Sequence, residues 1–121
     1  MARILVVDDQ RELAELIETV LEAEGRAVEV VYGGQAALDR LAAHAYDLVV
    51  CDLQMPDVDG LAVYRAVEQL EPPRPAVLLL TGHADAPAYT DFLQATAAAI
   101  LAKPVGIDEL RERVRGMLAD R

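Results

Sequence analysis

Five polar residues in this chain are of the types that could together act on a phosphoryl group. Three are carboxylates, Asp8, Asp9 and Asp52, and the other two are Thr81 and Lys103. Mg²⁺ takes oxygen ligands and is usually held by one or two carboxylates together with phosphate oxygens. A carboxylate can also act as a nucleophile and form an acyl phosphate, while metal, ammonium and hydroxyl groups meet the charge on the transferring oxygens. The set therefore points to Mg²⁺-dependent phosphoryl transfer to an aspartate.

Each of these residues has an ordinary structural explanation when it is considered alone. Asp9 could be the N-cap of a helix, and Asp52 could be a carboxylate that starts a loop. Thr81 could be a turn hydroxyl and Lys103 a surface cation. Three carboxylates at one edge of a fold, however, repel one another by roughly 4 kcal/mol per pair at about 4 Å, with an effective dielectric constant near 20. A bound cation removes this repulsion, so we expect Asp8 and Asp9 to hold Mg²⁺ and Asp52 to be the nucleophile.

Lys103 is the only lysine among the eleven Lys and Arg residues of the chain. A lysine offers a compact charge on a flexible stem, whereas an arginine offers a wide planar fork. A tight pocket for one phosphoryl oxygen suits the lysine. A single instance is also compatible with chance.

Composition limits the class of protein. A chain of 121 residues with 54% hydrophobic content suits one domain, which we expect to span residues 1–121. The formal net charge of −10 disfavours direct binding to nucleic acid or to an anionic membrane surface. The chain has no signal-peptide pattern and no apolar run long enough for a membrane span, so we expect a cytoplasmic protein. The single cysteine, Cys51, lies in an apolar run and is expected to be a buried thiol.

The elements that must position the polar residues follow from the hydrophobic pattern. Apolar runs alternate with amphipathic segments five times, which predicts an α/β fold with a parallel sheet. Right-handed crossovers bring the carboxyl ends of all the strands to one edge, where the five polar residues would meet. The predicted strands are 4–7, 28–31, 48–51, 77–80 and 100–102, and the predicted helices are about 13–21, 35–44, 61–70, 87–96 and 107–118.

With these residues the chain resembles the response-regulator receiver family along essentially its whole length. The matching stretches are ILVVDDQ at 4–10, DLVVCDLQMPDVDG at 47–60, LLLTGHAD at 78–85 and LAKP at 101–104. The set is specific because the acid pair, the phosphoacceptor, the hydroxyl and the Lys-Pro pair occur in order. The resemblance implies a (βα)5 flavodoxin-like fold, a doubly wound five-stranded parallel sheet in the order 2-1-3-4-5.

The resemblance also implies a metal site. Asp9 would be the main carboxylate ligand of Mg²⁺, and Asp8 would assist through water. Asp52 and the backbone carbonyl of Gln54 would complete the set of protein ligands.

The same resemblance implies a phosphorylation switch. Asp52 would take a phosphoryl group from a histidine kinase or a histidine phosphotransfer protein and lose it again by autodephosphorylation. Lys103 would pair with the phosphoryl group, Thr81 would swing toward it, and the Lys103-Pro104 bond would be cis. Gln54 and His83 occupy positions that could tune the reaction rate, although a spectator role is the simpler interpretation of the histidine.

Several positions depart from the family pattern, among them the loop at 95–99, which lacks its customary glycine. Ile100 stands where the family usually has an aromatic switch residue, and Val105 stands where a phenylalanine usually follows Lys-Pro. These changes leave the phosphorylation chemistry intact but put in question how the signal leaves the site. A homodimer through the face formed by the predicted helix 87–96, the fifth strand and the last helix is possible.

Two other functional classes compete with the switch. Haloacid-dehalogenase-type phosphatases also combine an aspartate nucleophile, Mg²⁺, a hydroxyl and a lysine, but their nucleophile belongs to a DxD motif on an early strand. Here the nucleophile candidate Asp52 follows the third predicted strand, and the second residue after it is Gln54. The second alternative is a receiver-like interaction module that binds partners independently of phosphorylation.

Overall fold

The computed structural model describes residues 1–82 and 99–119, in which five strands form one parallel sheet. The strand order is 2-1-3-4-5, so the predicted doubly wound α/β fold is confirmed. The elements, in chain order, are β1 Arg3–Val7, α1 Arg11–Glu22, β2 Ala27–Val31, α2 Gly34–Ala43, β3 Leu48–Asp52, α3 Gly60–Glu68, β4 Ala76–Thr81, β5 Ala99–Ala102 and α4 Ile107–Ala119. The helix predicted for residues 87–96 lies outside the described residues, as does His83.

The central strands are apolar throughout because both of their faces are covered. Alternate residues of β1 and β3 point to opposite sides of the sheet. On one side, Leu5, Val49 and their neighbours pack against α2 and α3. On the other side, Ile4, Val50 and their neighbours pack against α1 and α4. Cys51 belongs to the first of these two clusters and is buried, as expected.

The register of the sheet brings the strand ends to one edge. Val7 pairs with Cys51, so the residues that follow β1 lie beside Asp52 at the end of β3. Asp52 in turn pairs with Leu80 of β4, and Thr81 pairs with Ala102 of β5. This edge therefore gathers the polar residues that the sequence singled out.

The first helix corrects one of the ordinary explanations offered above. Its N-cap is Gln10 and not Asp9, and no side chain of the cap residue bonds to the helix. The backbone N–H of Gln10 instead donates to Asp8 Oδ1 at 2.9 Å. Asp9 is thus left outside the helix, with its side chain exposed. None of the helices in the described part of the chain is long and apolar enough to cross a bilayer.

Candidate metal and phosphoryl site

The three carboxylates meet at the carboxyl edge of the sheet. One side-chain oxygen from each of Asp8, Asp9 and Asp52 lies within 4.8 Å of the other two. Asp8 is fully buried and Asp52 is 5% exposed, whereas Asp9 is exposed. The cluster is therefore open to solvent on the side of Asp9 and closed on the side of the other two.

Asp52 is held by the junction between β3 and α3. The N–H of the next residue, Leu53, donates to the carbonyl of Leu80 at 2.8 Å, and Gly60 donates to the carbonyl of Leu53 at 2.8 Å. The start of α3 packs so closely that a Cβ on Gly60 would lie 2.6 Å from the carbonyl oxygen of Asp52. Only glycine fits at this contact, and the close packing fixes the end of the strand that carries Asp52.

Lys103 reaches the carboxylates from β5. Its backbone N–H donates to the carbonyl of Thr81 at 2.9 Å, and the bond to Pro104 is cis. The ammonium Nζ lies 3.3 Å from Asp52 Oδ2 and 3.5 Å from Asp8 Oδ2. Thr81 itself is the last residue of β4 and is 1% exposed. The lysine and the threonine are therefore neighbours at the same edge as the acids.

Gln10 was not among the predicted site residues, yet its side chain belongs to this site. Its Oε1 accepts a hydrogen bond from Lys103 Nζ at 3.2 Å. The contact joins residues 93 positions apart, so no local pattern could have predicted it. The only signal in the sequence was the position of Gln10 between the acid pair and the first helix.

Burial and mutual repulsion perturb the acids. Burial, together with the negative charge of Asp8, raises the pKa of Asp52 to about 6 against the opposing effect of Lys103. Burial also raises the pKa of Asp8, against the hydrogen bond that the backbone of Gln10 donates to its charged form. One ammonium group thus compensates only part of the negative charge at this edge, and a further cation would favour the ionised carboxylates.

The donor set fits Mg²⁺. Asp8 Oδ2 is buried, and the Lys103 ammonium lies 3.5 Å away without forming a hydrogen bond, so an acceptor position remains for a metal-bound water. Exposed Asp9 offers a second carboxylate, and Gln54 lies at the mouth of the same site. Hard oxygen donors with open solvent positions are what Mg²⁺ selects. A cavity of about 250 Å³ adjoins these groups and is lined by Asp9, Gln10, Asp52, Gln54, Gly82 and Lys103.

Ile100 lies apart from this cavity. It is half-buried in β5, and its carbonyl accepts a hydrogen bond from Arg113 Nη1 of α4 at 2.9 Å. Ile100, which differs from the usual family residue, therefore belongs to an edge strand that is hydrogen-bonded to α4.

Comparison with known proteins agrees with this geometry. The transcriptional regulatory protein CutR of Streptomyces coelicolor is 41% identical over 115 residues, which are 95% of this chain and 52% of that protein. The chain spans about half the length of the curated relatives that it matches.

Two solved structures are similar over nearly the whole chain. The response regulator TrrA of Thermotoga maritima, in complex with Mg²⁺-BeF, has a TM-score of 0.83 and 34% identity, covering 98% of this chain and 100% of that one. The receiver domain of the sensor histidine kinase PA1611 from Pseudomonas aeruginosa, with a magnesium ion coordinated in its active-site cleft, has a TM-score of 0.87 and 28% identity, with 98% of both chains covered. The model of the family described as response regulator receiver domain matches residues 4–115, and the chain accordingly belongs to that family.

Proposed function

We propose that this chain is a phosphorylation switch in which Asp52 accepts a phosphoryl group, in the presence of Mg²⁺, from a histidine kinase or a histidine phosphotransfer protein. The change in conformation that follows would regulate a partner or an attached domain. One observation carries the proposal: the three carboxylates lie within 4.8 Å of one another, and Lys103 Nζ lies 3.3 Å from Asp52 Oδ2. This arrangement places a nucleophile, a metal-binding acid pair and a cation around one point.

Asp9, Asp52 and the backbone carbonyl of Gln54 would hold the metal, and Asp8 would contact it through water. When bound, Mg²⁺ neutralises charge on the phosphoryl oxygens and orients them for in-line attack. Asp8 is fully buried, which suits an indirect role better than that of a direct ligand. Exposed Asp9 is the more accessible of the pair.

The protein's own groups account for the transfer step. A carboxylate oxygen of Asp52 attacks phosphorus, the P–N bond to the donor imidazole breaks, and its electron pair remains on that nitrogen, which takes a proton. A pKa of about 6 leaves Asp52 mainly ionised at neutral pH, as a nucleophile requires. Lys103 then donates to a phosphoryl oxygen, and the hydroxyl of Thr81 donates to another. Attack of water on phosphorus later returns Asp52 to its free state.

A role in transcription belongs to the same proposal. It rests on CutR, which is named a transcriptional regulatory protein and about half of which this chain matches. Contact with nucleic acid by the present chain is not part of the proposal, because its net charge of −10 opposes such contact. The phosphoryl exchange would take place in the cytoplasm.

Intact-mass measurement tests the proposal directly. The chain is incubated with acetyl phosphate and Mg²⁺, and we expect a gain of one phosphoryl group that disappears in Asp52→Asn and in chelator. An equal gain in the Asn variant would place the phosphate elsewhere. Sustained release of phosphate from an added phosphomonoester would favour the phosphatase alternative, and no mass gain in wild type would favour the phosphorylation-independent module.

A further inference from the structure

The loop between β3 and α3, residues 53–59, contacts a helix that takes no direct part in the site. Asp57 Oδ1 accepts a hydrogen bond from the backbone N–H of Gly34 at 3.2 Å, and Oδ2 accepts one from Gln35 at 3.1 Å. These N–H groups belong to the first turn of α2, whose own N-cap is Gly33 and offers no side chain. A carboxylate from a different loop therefore supplies the cap that α2 lacks.

The backbone at this contact is packed as closely as glycine permits. A Cβ on Gly34 would lie 2.0 Å from the carbonyl oxygen of Val58, and a Cβ on Gly33 would lie 3.1 Å from Asp57 Oδ2. The backbone hydrogen bond from Gln35, together with those from Val58 and Gly34, lowers the pKa of Asp57 from its usual value. The start of α2 is thus shaped to receive this loop with its carboxylate ionised.

The other end of the loop is fixed separately. Asp59 is the N-cap of α3, and its Oδ1 accepts a hydrogen bond from the N–H of Ala62 at 3.0 Å. Gln54 lies between Asp52 and Asp57, and its side chain is exposed. The N–H of Gln54 is 3.4 Å from Asp52 Oδ1, a long contact that holds the backbone only weakly. Leu53 and Met55, on either side of Gln54, are buried in the core, and Asp57 adds an anchor farther along the loop.

We propose that Asp57 is a positioning residue, which docks the 53–59 loop on α2 and so holds the Gln54 carbonyl in place for Mg²⁺. The inference rests on the proposed function, in which that carbonyl is a metal ligand. A loop that is already docked loses less conformational freedom when the metal binds, and residues that orient ligands commonly change metal affinity when they are replaced.

The test compares Mg²⁺ affinity in three variants, measured by titration of backbone amide NMR shifts in the folded protein. Asp57→Ala removes both acceptors, and we expect Mg²⁺ to bind about tenfold more weakly. Asp57→Asn keeps one acceptor oxygen and should give an intermediate affinity. Arg40→Ala is the matched control, because Arg40 lies in the last turn of the same helix, where it pairs with Glu29 far from the loop. This control should bind Mg²⁺ as wild type does.

Several results would overturn the inference. Wild-type affinity in Asp57→Ala, with the amides of Gly34 and Gln35 exchanging faster, would show that the cap serves only the helix. An equal loss of Mg²⁺ affinity in Arg40→Ala would show that any destabilisation of α2 weakens metal binding. If Asp57→Ala does not fold, wild-type Mg²⁺ affinity in Asp57→Asn would likewise overturn the inference. Failure of the proposed function is distinct from these, since wild type itself would then bind no Mg²⁺.

Discussion

Lys103 shares one ammonium group among three oxygen neighbours. Asp52 Oδ2, Asp8 Oδ2 and Gln10 Oε1 lie 3.3, 3.5 and 3.2 Å from Nζ. A compact ammonium can turn from one of these partners to a phosphoryl oxygen without moving its stem, because its donors rotate freely. A planar guanidinium cannot serve the same neighbours in the same space.

Lys103→Arg should therefore impair the switch although it keeps the positive charge. Loss of one well-placed hydrogen bond to a charged group costs about 1.5–3 kcal/mol, which corresponds to roughly a ten- to hundredfold slower phosphorylation. The rate is measured by intact-mass time courses with acetyl phosphate, with Lys103→Ala as the charge-deleted reference. Wild-type rates in the arginine variant would show that charge alone is enough.

The raised pKa of Asp52 determines how this residue affects the stability of the fold at different pH values. The folded protein holds a proton on this group up to about pH 6, whereas the unfolded chain loses it near the ordinary value of 3.8. The folded state is thus stabilised relative to the unfolded state as pH falls from 6 toward 3.8, and above pH 6 the ionised carboxylate has its full destabilising effect. Asp52→Asn removes this charge and should raise the free energy of unfolding at neutral pH.

The gain in Asp52→Asn should be on the order of 2 kcal/mol at about pH 7.5, and it should shrink at about pH 5. Urea unfolding in chelator at both pH values measures it. Glu29 and Asp57 have lowered pKa values, so their protonation in acid destabilises the fold. Both residues are present in wild type and in Asp52→Asn, so their effect cancels in the difference between the two proteins. An equal gain at both pH values would mean that Asp52 is not the titrating group.

Among the elements, the junction between β3 and α3 is closely packed where it meets the site. Gly60→Ala would place a methyl group 2.6 Å from the carbonyl oxygen of Asp52 and 2.7 Å from Leu53 Cα, both of them backbone atoms that cannot turn aside. We expect a loss of about 1–3 kcal/mol in stability and slower phosphorylation, since the strand end must shift. Chemical denaturation and the mass time course measure the two effects.

Gly116→Ala is the matched control for that substitution. Gly116 lies in α4, and nothing stands within 4 Å of a Cβ built there. The same change should therefore stabilise the protein by about 0.5–1 kcal/mol, since alanine favours a helix over glycine. If both variants lose stability alike, the close approach at Gly60 is not the cause.

The elements were largely predictable because hydrophobic periodicity determines them. The strand predicted at 48–51 is observed as Leu48–Asp52, and the helix predicted at 61–70 is observed as Gly60–Glu68. A parallel strand that is covered on both faces must be apolar at every position, which makes it visible without any structure.

The parts of the site that were missed depend on how loops meet. Lys103 bonds to Gln10 across 93 positions, and Asp57 bonds to Gln35 across 22. Neither contact is visible in the hydrophobic periodicity of the sequence, because each forms only when the order of the strands brings distant segments together. The alternative explanation of Asp9 as an N-cap does not hold, because the backbone N–H of Gln10 donates to Asp8 and Gln10 itself is the cap residue.

For the whole molecule, the net charge of −10 and the acid cluster together predict stabilisation by Mg²⁺. A ligand that binds only the folded state adds about 2.7 kcal/mol when its free concentration is a hundredfold above Kd. Thermal melts in Mg²⁺ and in chelator should show this difference. Sodium chloride at matched ionic strength controls for general screening, and Asp9→Ala should lose most of the effect of Mg²⁺. Identical midpoints in Mg²⁺ and chelator would refute the assignment of the metal site.

Cys51 is the only cysteine of the chain, and it is completely buried in the central strand, beside Asp52. Burial raises the pKa of its thiol, so the folded protein presents almost no thiolate to a labelling reagent. A thiol reagent can therefore modify this sulfur under native conditions only when the middle of the sheet opens. The rate of modification measures how often that opening occurs. The protein carries its own reporter of that opening, and the same readout would show how far metal and phosphoryl group each slow it.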